Sequence, residues 1–457
     1  MSYRSRRPLS YCLRVLTAIL CAVCFYAFFS LGNPYLLVIN RTSVIVGMSF
    51  FLVYAWMVSV YGGLDIGTRK SRSIVFSMSL VVFFADLAAH LFLCIMDVTI
   101  INNGRFVYER PLLLFAVLAM QILIIIGMAY GGNWLYFLRC PPQRCLVVVR
   151  RGDRYEDWLK KIQRFRKQYE IAHIAYTDDP DLFGQIEAAE AVFFYNLVES
   201  ERAPLLTYAY QLHKDLYYSM ELSDVVSLGG KQTFFDDTAM IFAEADKMAE
   251  RTLVLKRIMD IMISLFGILI TSPLLLGSAI AIRAEDGGDI FYRQERATYG
   301  GRVFSIVKFR SMRPEVGEIH RSVTSGDDRI TKVGRVLRKF RLDELPQLFN
   351  VLRGDMSIVG PRPEMLENVE KYTQDLPQFS YRLRAKAGLT GMAQVYGRYN
   401  TTPKDKLIFD MYYIENYSLW LDIKLILRTV MVLFTPERST EAFSTEEQKA
   451  PEKEEEP

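Results

Sequence analysis

The chain has 457 residues, 51% of them hydrophobic, with a mean hydropathy of +0.12, which excludes an ordinary soluble enzyme and reads as a membrane protein of two or three domains. Its formal charge of +4 conceals an acidic tail, because residues 441–457 hold seven Glu and two Lys and leave +9 on everything before them. A basic body suits phosphate-bearing partners or an anionic leaflet. Six scattered Cys and four His, with no Cys–His cluster, exclude a zinc site and a histidine-based triad from the C-terminal half, so catalysis there must rest on carboxylates and basic groups.

Four apolar segments, 9–31, 43–61, 74–96 and 111–130, each approach the ~20 residues a helix needs to cross hydrocarbon. The first is too long, and lacks the small-residue cleavage pattern, for a removable signal. Arg4, Arg6 and Arg7 precede it, Arg69, Lys70 and Arg72 lie between the second and third, and Arg139, Arg144, Arg150 and Arg151 follow the fourth. The positive-inside bias therefore puts both ends of this four-helix unit in the cytoplasm. Asp86 and His90 share one helix face in the third segment. A polar pair packed between helices is the simpler reading and a proton or ion site the sharper one.

From Cys145 strand and helix patterns alternate: a β-rich 145–149, a helical 155–168, then 171–176, 191–195, a helical 204–214 and 216–220. This texture predicts a small Rossmann-like parallel sheet. Its first turn, Val149-Arg150-Arg151-Gly152-Asp153, has one glycine where a dinucleotide fingerprint wants three, so a structural, docking or regulatory module is expected rather than a nucleotide site.

A fifth apolar stretch, 259–282, carries Asp260 near its start and Thr271-Ser272-Pro273 in its middle. Proline removes a backbone donor, so the helix is expected to break at Ser272 and Pro273. Lys256 and Arg257 before it and Arg283, Arg293 and Arg296 after it make both flanks basic, which the charge bias assigns to one side of the membrane. A re-entrant helix follows, with the downstream domain in the cytoplasm. That domain is dense in Arg, Lys and Gly, as a loop-rich module of short helices would be. Residues 408–434 mix Tyr412, Tyr413, Tyr417 and Trp420 with aliphatics, the pattern of a helix at a membrane interface. The Glu-, Lys- and Pro-rich end of the chain has almost nothing to bury and is expected to be disordered.

After Leu342, apolar residues at 345, 348, 349 and 352 have amphipathic helical spacing. Proline is tolerated only in a first helical turn, so Pro346 places Asp343 at or beside the N-cap and Glu344 in the first turn, where the helix dipole would keep Asp343 ionised and help to hold a phosphate. Two adjacent carboxylates beside a phosphate call for a cation: Mg²⁺ on one carboxylate and the phosphate oxygens, with the other carboxylate free to attack phosphorus. A lone Asp-Glu pair at a helix start is otherwise simply a cap.

Lys256-Arg257 with Asp260, Thr271-Ser272-Pro273, Phe304-Ser305-Ile306-Val307-Lys308-Phe309-Arg310, Leu342-Asp343-Glu344-Leu345-Pro346-Gln347, Gly354-Asp355-Met356-Ser357, Gly360-Pro361-Arg362-Pro363 and Gly388-Leu389-Thr390-Gly391 occur in this order. Over residues 251–434 this series resembles the bacterial monotopic phosphoglycosyl transferases, and with four spans and an α/β module in front it resembles their long members that initiate capsule or O-antigen synthesis. The resemblance implies transfer of a sugar-1-phosphate, glucose or galactose first, from a UDP-sugar to undecaprenyl phosphate in the inner (cytoplasmic) membrane, with release of UMP. It implies Asp343 as nucleophile, Glu344 as the Mg²⁺ ligand, and Arg362, between Pro361 and Pro363, as a phosphate holder. Lys308 and Arg310 would neutralise phosphates and Arg398 would serve the donor site. Met392 and Tyr396 stand where the family usually has Trp and Asn, which leaves the uridine contacts open.

The expected fold class is therefore membrane α plus α/β: an N-terminal four-TM-helix bundle (1–140), a small Rossmann-like α/β module (141–245) and a linker with a re-entrant membrane helix (246–283). A C-terminal loop-rich, mostly helical catalytic domain with amphipathic interface helices (284–436) and an acidic tail (437–457) complete it. Inner-membrane lipid is an expected partner, a homodimer is compatible with the chain, and no nucleic acid is expected. A non-catalytic scaffold and a transporter built on Asp86, His90 and Asp260 are the competing readings.

Overall fold

Four long apolar helices, α1 (Arg7–Ser30), α2 (Arg41–Tyr61), α3 (Ser71–Met96) and α4 (Pro111–Arg139), lie over the four expected segments, and each is long and apolar enough to cross a membrane. The structure, a computed structural model, describes residues 7–96, 108, 110–244, 250–313, 329–397 and 401–433, so Arg4, Arg6 and the acidic tail lie outside the described residues. Helix α2 packs on α3, α3 on α4, and α4 on α1. Val15, Ile19, Leu87, Leu91 and Leu123 face outward, as hydrocarbon requires. Inside, Gln121 of α4 donates to the Asp86 carboxylate of α3 (3.0 Å) and to the Cys21 carbonyl of α1 (3.1 Å), while the buried His90 ring packs tilted against Phe29, 4.9 Å between centroids. Asp86 and His90 thus point into the bundle, between helices, as a packed polar pair does.

The α/β module follows as β1 (Gln143–Val149), α5 (Glu156–Gln163), β2 (Tyr169–Tyr176), α6 (Leu182–Ala188), β3 (Ala191–Phe194), α7 (Glu199–Gln211) and β4 (Asp215–Tyr218). All four strands are parallel in the order β2-β1-β3-β4. The two central strands are covered on both faces, which is why they read as apolar runs rather than alternations. The first compact unit ends at Ser219 and the second begins at Met220. Helix α8 (Leu222–Gly229) and the hairpin β5 (Lys231–Phe235) and β6 (Thr238–Phe242) therefore belong to the second unit, where Val225 joins the core. The module boundary expected at 245 moves back to 219, because α8 finds its apolar partners downstream.

Helix α9 (Glu250–Asp286) runs without a break through Pro273. Proline leaves the Leu269 carbonyl without its helical donor, and the Ser272 hydroxyl donates to that carbonyl at 2.8 Å; the Thr271 hydroxyl adds a bond to the Gly267 carbonyl at 2.7 Å. The break expected at Ser272-Pro273 is thus replaced by a continuous helix with its freed carbonyl satisfied by a side chain.

The second unit continues with the antiparallel pair β7 (Phe291–Ala297) and β8 (Val303–Phe309), then α10 (Lys332–Lys339), α11 (Gln347–Arg353), β9 (Ser357–Val359), α12 (Leu366–Asp375), β10 (Gly388–Thr390), α13 (Met392–Tyr396), α14 (Pro403–Glu415) and α15 (Leu419–Leu433). Strands β9 and β10 pair in parallel. The core gathers Leu348, Val351, Met356, Phe379, Met411 and Leu425. Within the segment read as lying at an interface, Met411, Tyr413 and Ile414 of α14 are buried in the core, whereas α15 leaves Trp420 and Val430 exposed. Aromatic and aliphatic side chains look alike at an interface and in a core, and only packing separates them.

Candidate active site

Asp343 and Glu344 sit in a single 3-10 turn, Leu342–Glu344, which precedes α11 rather than opening it. Arg341 turns the chain out of α10 in the left-handed region (φ 55°), a conformation uncommon for a residue with a Cβ. Leu342 holds the turn down by packing on Ile282, Phe309 and Leu337. Pro346 is the N-cap of α11, and neither it nor Asp343 caps the helix by a side-chain hydrogen bond. Asp343 is therefore not the helix cap that a lone pair would suggest.

The strand bearing Lys308 is fixed to α11 by Asn350, whose amide donates to the Ser305 carbonyl (2.8 Å) and accepts from the Val307 N–H (3.0 Å). Arg257 satisfies the far end of α11 by donating to the Val351 and Leu352 carbonyls, both at 2.6 Å. On the opposite side the Gly360–Pro363 loop hangs between β9 and β10. A Cβ on Gly360 would meet the Lys386 carbonyl oxygen at 2.2 Å, so only glycine fits there.

These elements converge on Glu344. Arg362 donates to its Oε1 at 2.5 Å, and Lys308 lies 3.7 Å from the same atom. Burial pushes the Glu344 carboxyl up, but Arg362 and then Lys308 outweigh it and hold the group well below the usual carboxylate range. Asp343 moves the other way. Burial raises its carboxyl first, the neighbouring Glu344 charge raises it further, and Lys308 and Arg338 only partly offset the two. The helix start expected to favour the charged form of Asp343 does not set its direction here: burial and Glu344 raise its carboxyl, and in this pair Glu344 carries the more secure charge. Burial also pulls the Lys308 ammonium down, against the pull of Glu344, while Glu344 raises the Arg362 guanidinium. Among the described residues no other side chain makes a hydrogen bond or ion pair to the Asp343 carboxylate, so one anionic group stands uncommitted beside a fixed, charged frame.

The structure thus brings Asp343, Glu344, Lys308 and Arg362 together, with Pro361 beside Arg362 in the same loop. Arg310 goes elsewhere, pairing with Asp286 at the end of α9. Arg398 lies outside the described residues. Four contributors were not singled out from the sequence as part of the site: Asn350, Arg338, Arg296 and Arg382. Asn350 lies within the quoted 342–350 motif and Arg338 only five residues before Asp343, whereas Arg296 and Arg382 act through contacts far apart in the chain. Among the described residues no group of three His, Cys, Asp or Glu is placed to hold a metal ion by itself. The set does fit a one-carboxylate Mg²⁺ site completed by substrate phosphate, since both cations lie on Oε1 of Glu344 and the charged carboxylate keeps a second oxygen.

The bacterial sugar transferase profile matches residues 251–436. A UDP-glucose:undecaprenyl-phosphate glucose-1-phosphate transferase of Caulobacter vibrioides is 42% identical over 194 residues, covering 40% of this chain and 71% of that protein. A UDP-N-acetylgalactosamine-undecaprenyl-phosphate N-acetylgalactosaminephosphotransferase of Aeromonas hydrophila is 42% identical over 186 residues, 40% of this chain and 44% of that protein. An undecaprenyl-phosphate galactose phosphotransferase of Salmonella typhimurium is 35% identical over 262 residues, 50% of this chain and 54% of that protein. The chain thus spans about half the length of two of these three relatives.

Proposed function

Since this chain belongs to the bacterial sugar transferase family, we propose that it transfers a sugar-1-phosphate from a UDP-sugar to undecaprenyl phosphate and releases UMP. The observation that carries the reading is the uncommitted Asp343 carboxylate beside Glu344, Arg362 and Lys308. An Asp343 oxygen attacks the β-phosphorus, and the bond from that phosphorus to the oxygen bridging it to the α-phosphorus breaks. UMP leaves with the bridging oxygen and the bonding electrons, and the sugar phosphate stays on Asp343 as an acyl phosphate. An oxygen of undecaprenyl phosphate then attacks the same phosphorus and returns Asp343 as a carboxylate. Arg362, whose planar fork suits phosphate oxygens, and Lys308 neutralise charge on the transferring group.

Glu344 is the residue that would hold Mg²⁺, which when bound supplies charge neutralisation at the diphosphate. On this reading chelator abolishes UMP release and added Mg²⁺ restores it, whereas full activity in EDTA contradicts the metal role.

The re-entrant reading of α9 draws support from its two flanks. Lys256 donates to Val359 (2.9 Å) and pairs with Asp422 (2.7 Å), while at the other end Glu285 accepts from the Lys332 N–H (2.7 Å). Both ends are thus held by one domain, yet a helix that crossed would put them on opposite sides of a ~30 Å hydrocarbon core. With Leu265, Phe266, Leu269, Ile270 and Ile280 exposed between the flanks, insertion from one face accounts for both facts. That face is the cytoplasmic face of the inner membrane, where UDP-sugars are.

Glucose or galactose is the proposed sugar, and the related proteins carry three different sugar names at comparable identity. The deciding experiment offers UDP-glucose, UDP-galactose, UDP-GlcNAc and UDP-GalNAc with undecaprenyl phosphate and follows UMP, for wild type and Asp343→Asn. UMP from none of the four contradicts the activity, and unchanged UMP from the variant leaves Asp343 without a chemical role.

A further inference from the structure

The loop that presents Arg362 contains two prolines, so it has few N–H groups of its own and is held by its carbonyls. Three consecutive carbonyls each receive a donor. The Gly388 N–H binds the Pro361 carbonyl (2.8 Å), Arg382 Nη2 the Arg362 carbonyl (2.8 Å) and Arg296 Nη1 the Pro363 carbonyl (3.3 Å). The first donor is the β10 backbone, but the other two are guanidinium groups, an unusual choice for work that a backbone N–H could do.

Both arginines are themselves held. Arg382 is 3% exposed, lies over the Phe379 ring (4.8 Å to its centroid), pairs with Asp410 (2.7 Å) and lies 3.8 Å from Glu364. Glu364 in turn binds Lys406 at 3.2 Å, so the buried group holds two cations and two carboxylates. Arg296 projects from β7, and its Nη2 donates to Gln294 at 2.6 Å. Because β7 pairs with β8 and Tyr292 lies opposite Lys308, the same arginine ties the Arg362 loop to the strand that carries Lys308. A void of about 10 Å³ is lined in part by Thr298, Pro361, Arg362 and Arg382.

We propose that Arg382 and Arg296 are positioning residues: together they form a carbonyl cradle that fixes the Gly360–Pro363 loop so that the Arg362 side chain meets the donor's phosphates beside Glu344 and Lys308. The proposal rests on the phosphate-transfer reading of the site and names two residues that act on it through Arg362. Arginine suits the task because its rigid fork reaches a carbonyl and a carboxylate at once, whereas lysine offers one ammonium centre.

A double-mutant cycle on the full chain in lipid tests it, with UMP release from UDP-glucose or UDP-galactose as the readout. Arg382→Lys keeps the charge beside Asp410 and is expected to lower kcat/KM about 10-fold, mainly by raising KM for the UDP-sugar. Arg362→Lys keeps a cation and a measurable rate. In that background Arg382→Lys should change the rate less than 2-fold, since its effect passes through the Arg362 fork. An equal 10-fold loss in both backgrounds means that Arg382 serves the fold at large and overturns the proposal, as does an unchanged KM in the single variant. Should Arg382→Lys not fold, Arg296→Lys, which removes the Pro363 and Gln294 contacts and leaves the Asp410 group intact, is read in the same cycle. An inactive wild type would instead refute the phosphate-transfer reading itself, so the two failures are separable.

Discussion

Two of the clusters of charge in the second unit differ in how they close. At the base of α9 the ammonium and its counter-charge are fully engaged: Lys256 binds the Val359 carbonyl, the Tyr413 hydroxyl and Asp422, and Tyr413 donates to the other oxygen of Asp422 at 2.7 Å. Lys256 and Asp422 are 7% and 0% exposed in their side chains. At Asp343 the cluster stays open, with a 37% exposed Arg362, two cations on one Glu344 oxygen and a carboxylate without a partner side chain among the described residues. A closed cluster builds a fold, because buried charges are tolerated only when paired and hydrogen-bonded. An open one is held in place by the surrounding fold and has its remaining valences available to a substrate.

The largest effect that would sharpen this contrast belongs to Asp343→Asn, expected to cut UMP release by about 10⁴-fold or more with unchanged thermal stability, since it removes the attacking oxygen and no fold contact. Lys256→Gln should do the opposite. Leaving Asp422 buried without its cation is expected to cost about 3 kcal/mol of stability, read as a lower denaturation midpoint, with the rate per folded molecule nearly unchanged. A variant at 256 that lost activity but not stability would break the division between the clusters. Arg362→Lys comes next, with about a 10²-fold loss of kcat/KM and a normal midpoint, because a point charge replaces a fork.

The smallest effect is a shift in pH dependence. Asp343 must be ionised to attack, and burial together with Glu344 raises its carboxyl. Activity should therefore be lost, as the pH falls, at a higher pH than for an ordinary carboxylate. Glu344→Gln removes the repelling neighbour, so the residual activity should persist to lower pH than in the wild type. A limb that stays in place or moves up would separate Asp343 from the rate.

Much of this was legible in the sequence because its causes are local. Apolar length gave α1 to α4, and alternation of strand and helix patterns gave the parallel sheet. The order of the Lys-Phe-Arg, Asp-Glu and Gly-Pro-Arg-Pro segments gave the site, since each motif is contiguous. What escaped depends on contacts between distant residues. Pro346 marks a helix start, but whether Asp343 caps it depends on Arg341 turning left-handed and on Leu342 packing against Ile282. Ser272-Pro273 predicts a break until one sees the hydroxyl of Ser272 on the Leu269 carbonyl. Tyr413 reads as an interface residue until Asp422 and Lys256 surround it. Arg310 and Lys308 are two residues apart in one motif, yet only Lys308 reaches Glu344, because Asp286 takes Arg310.

The central claim is that the open cluster works by covalent attack. Full-length protein in lipid, incubated with a labelled UDP-sugar and no undecaprenyl phosphate, should release UMP in an amount limited by the enzyme and carry one sugar phosphate on the peptide containing Asp343, with none on Asp343→Asn. UMP that appears only when undecaprenyl phosphate is added, with no adduct on Asp343, would contradict the account and leave direct displacement as the mechanism.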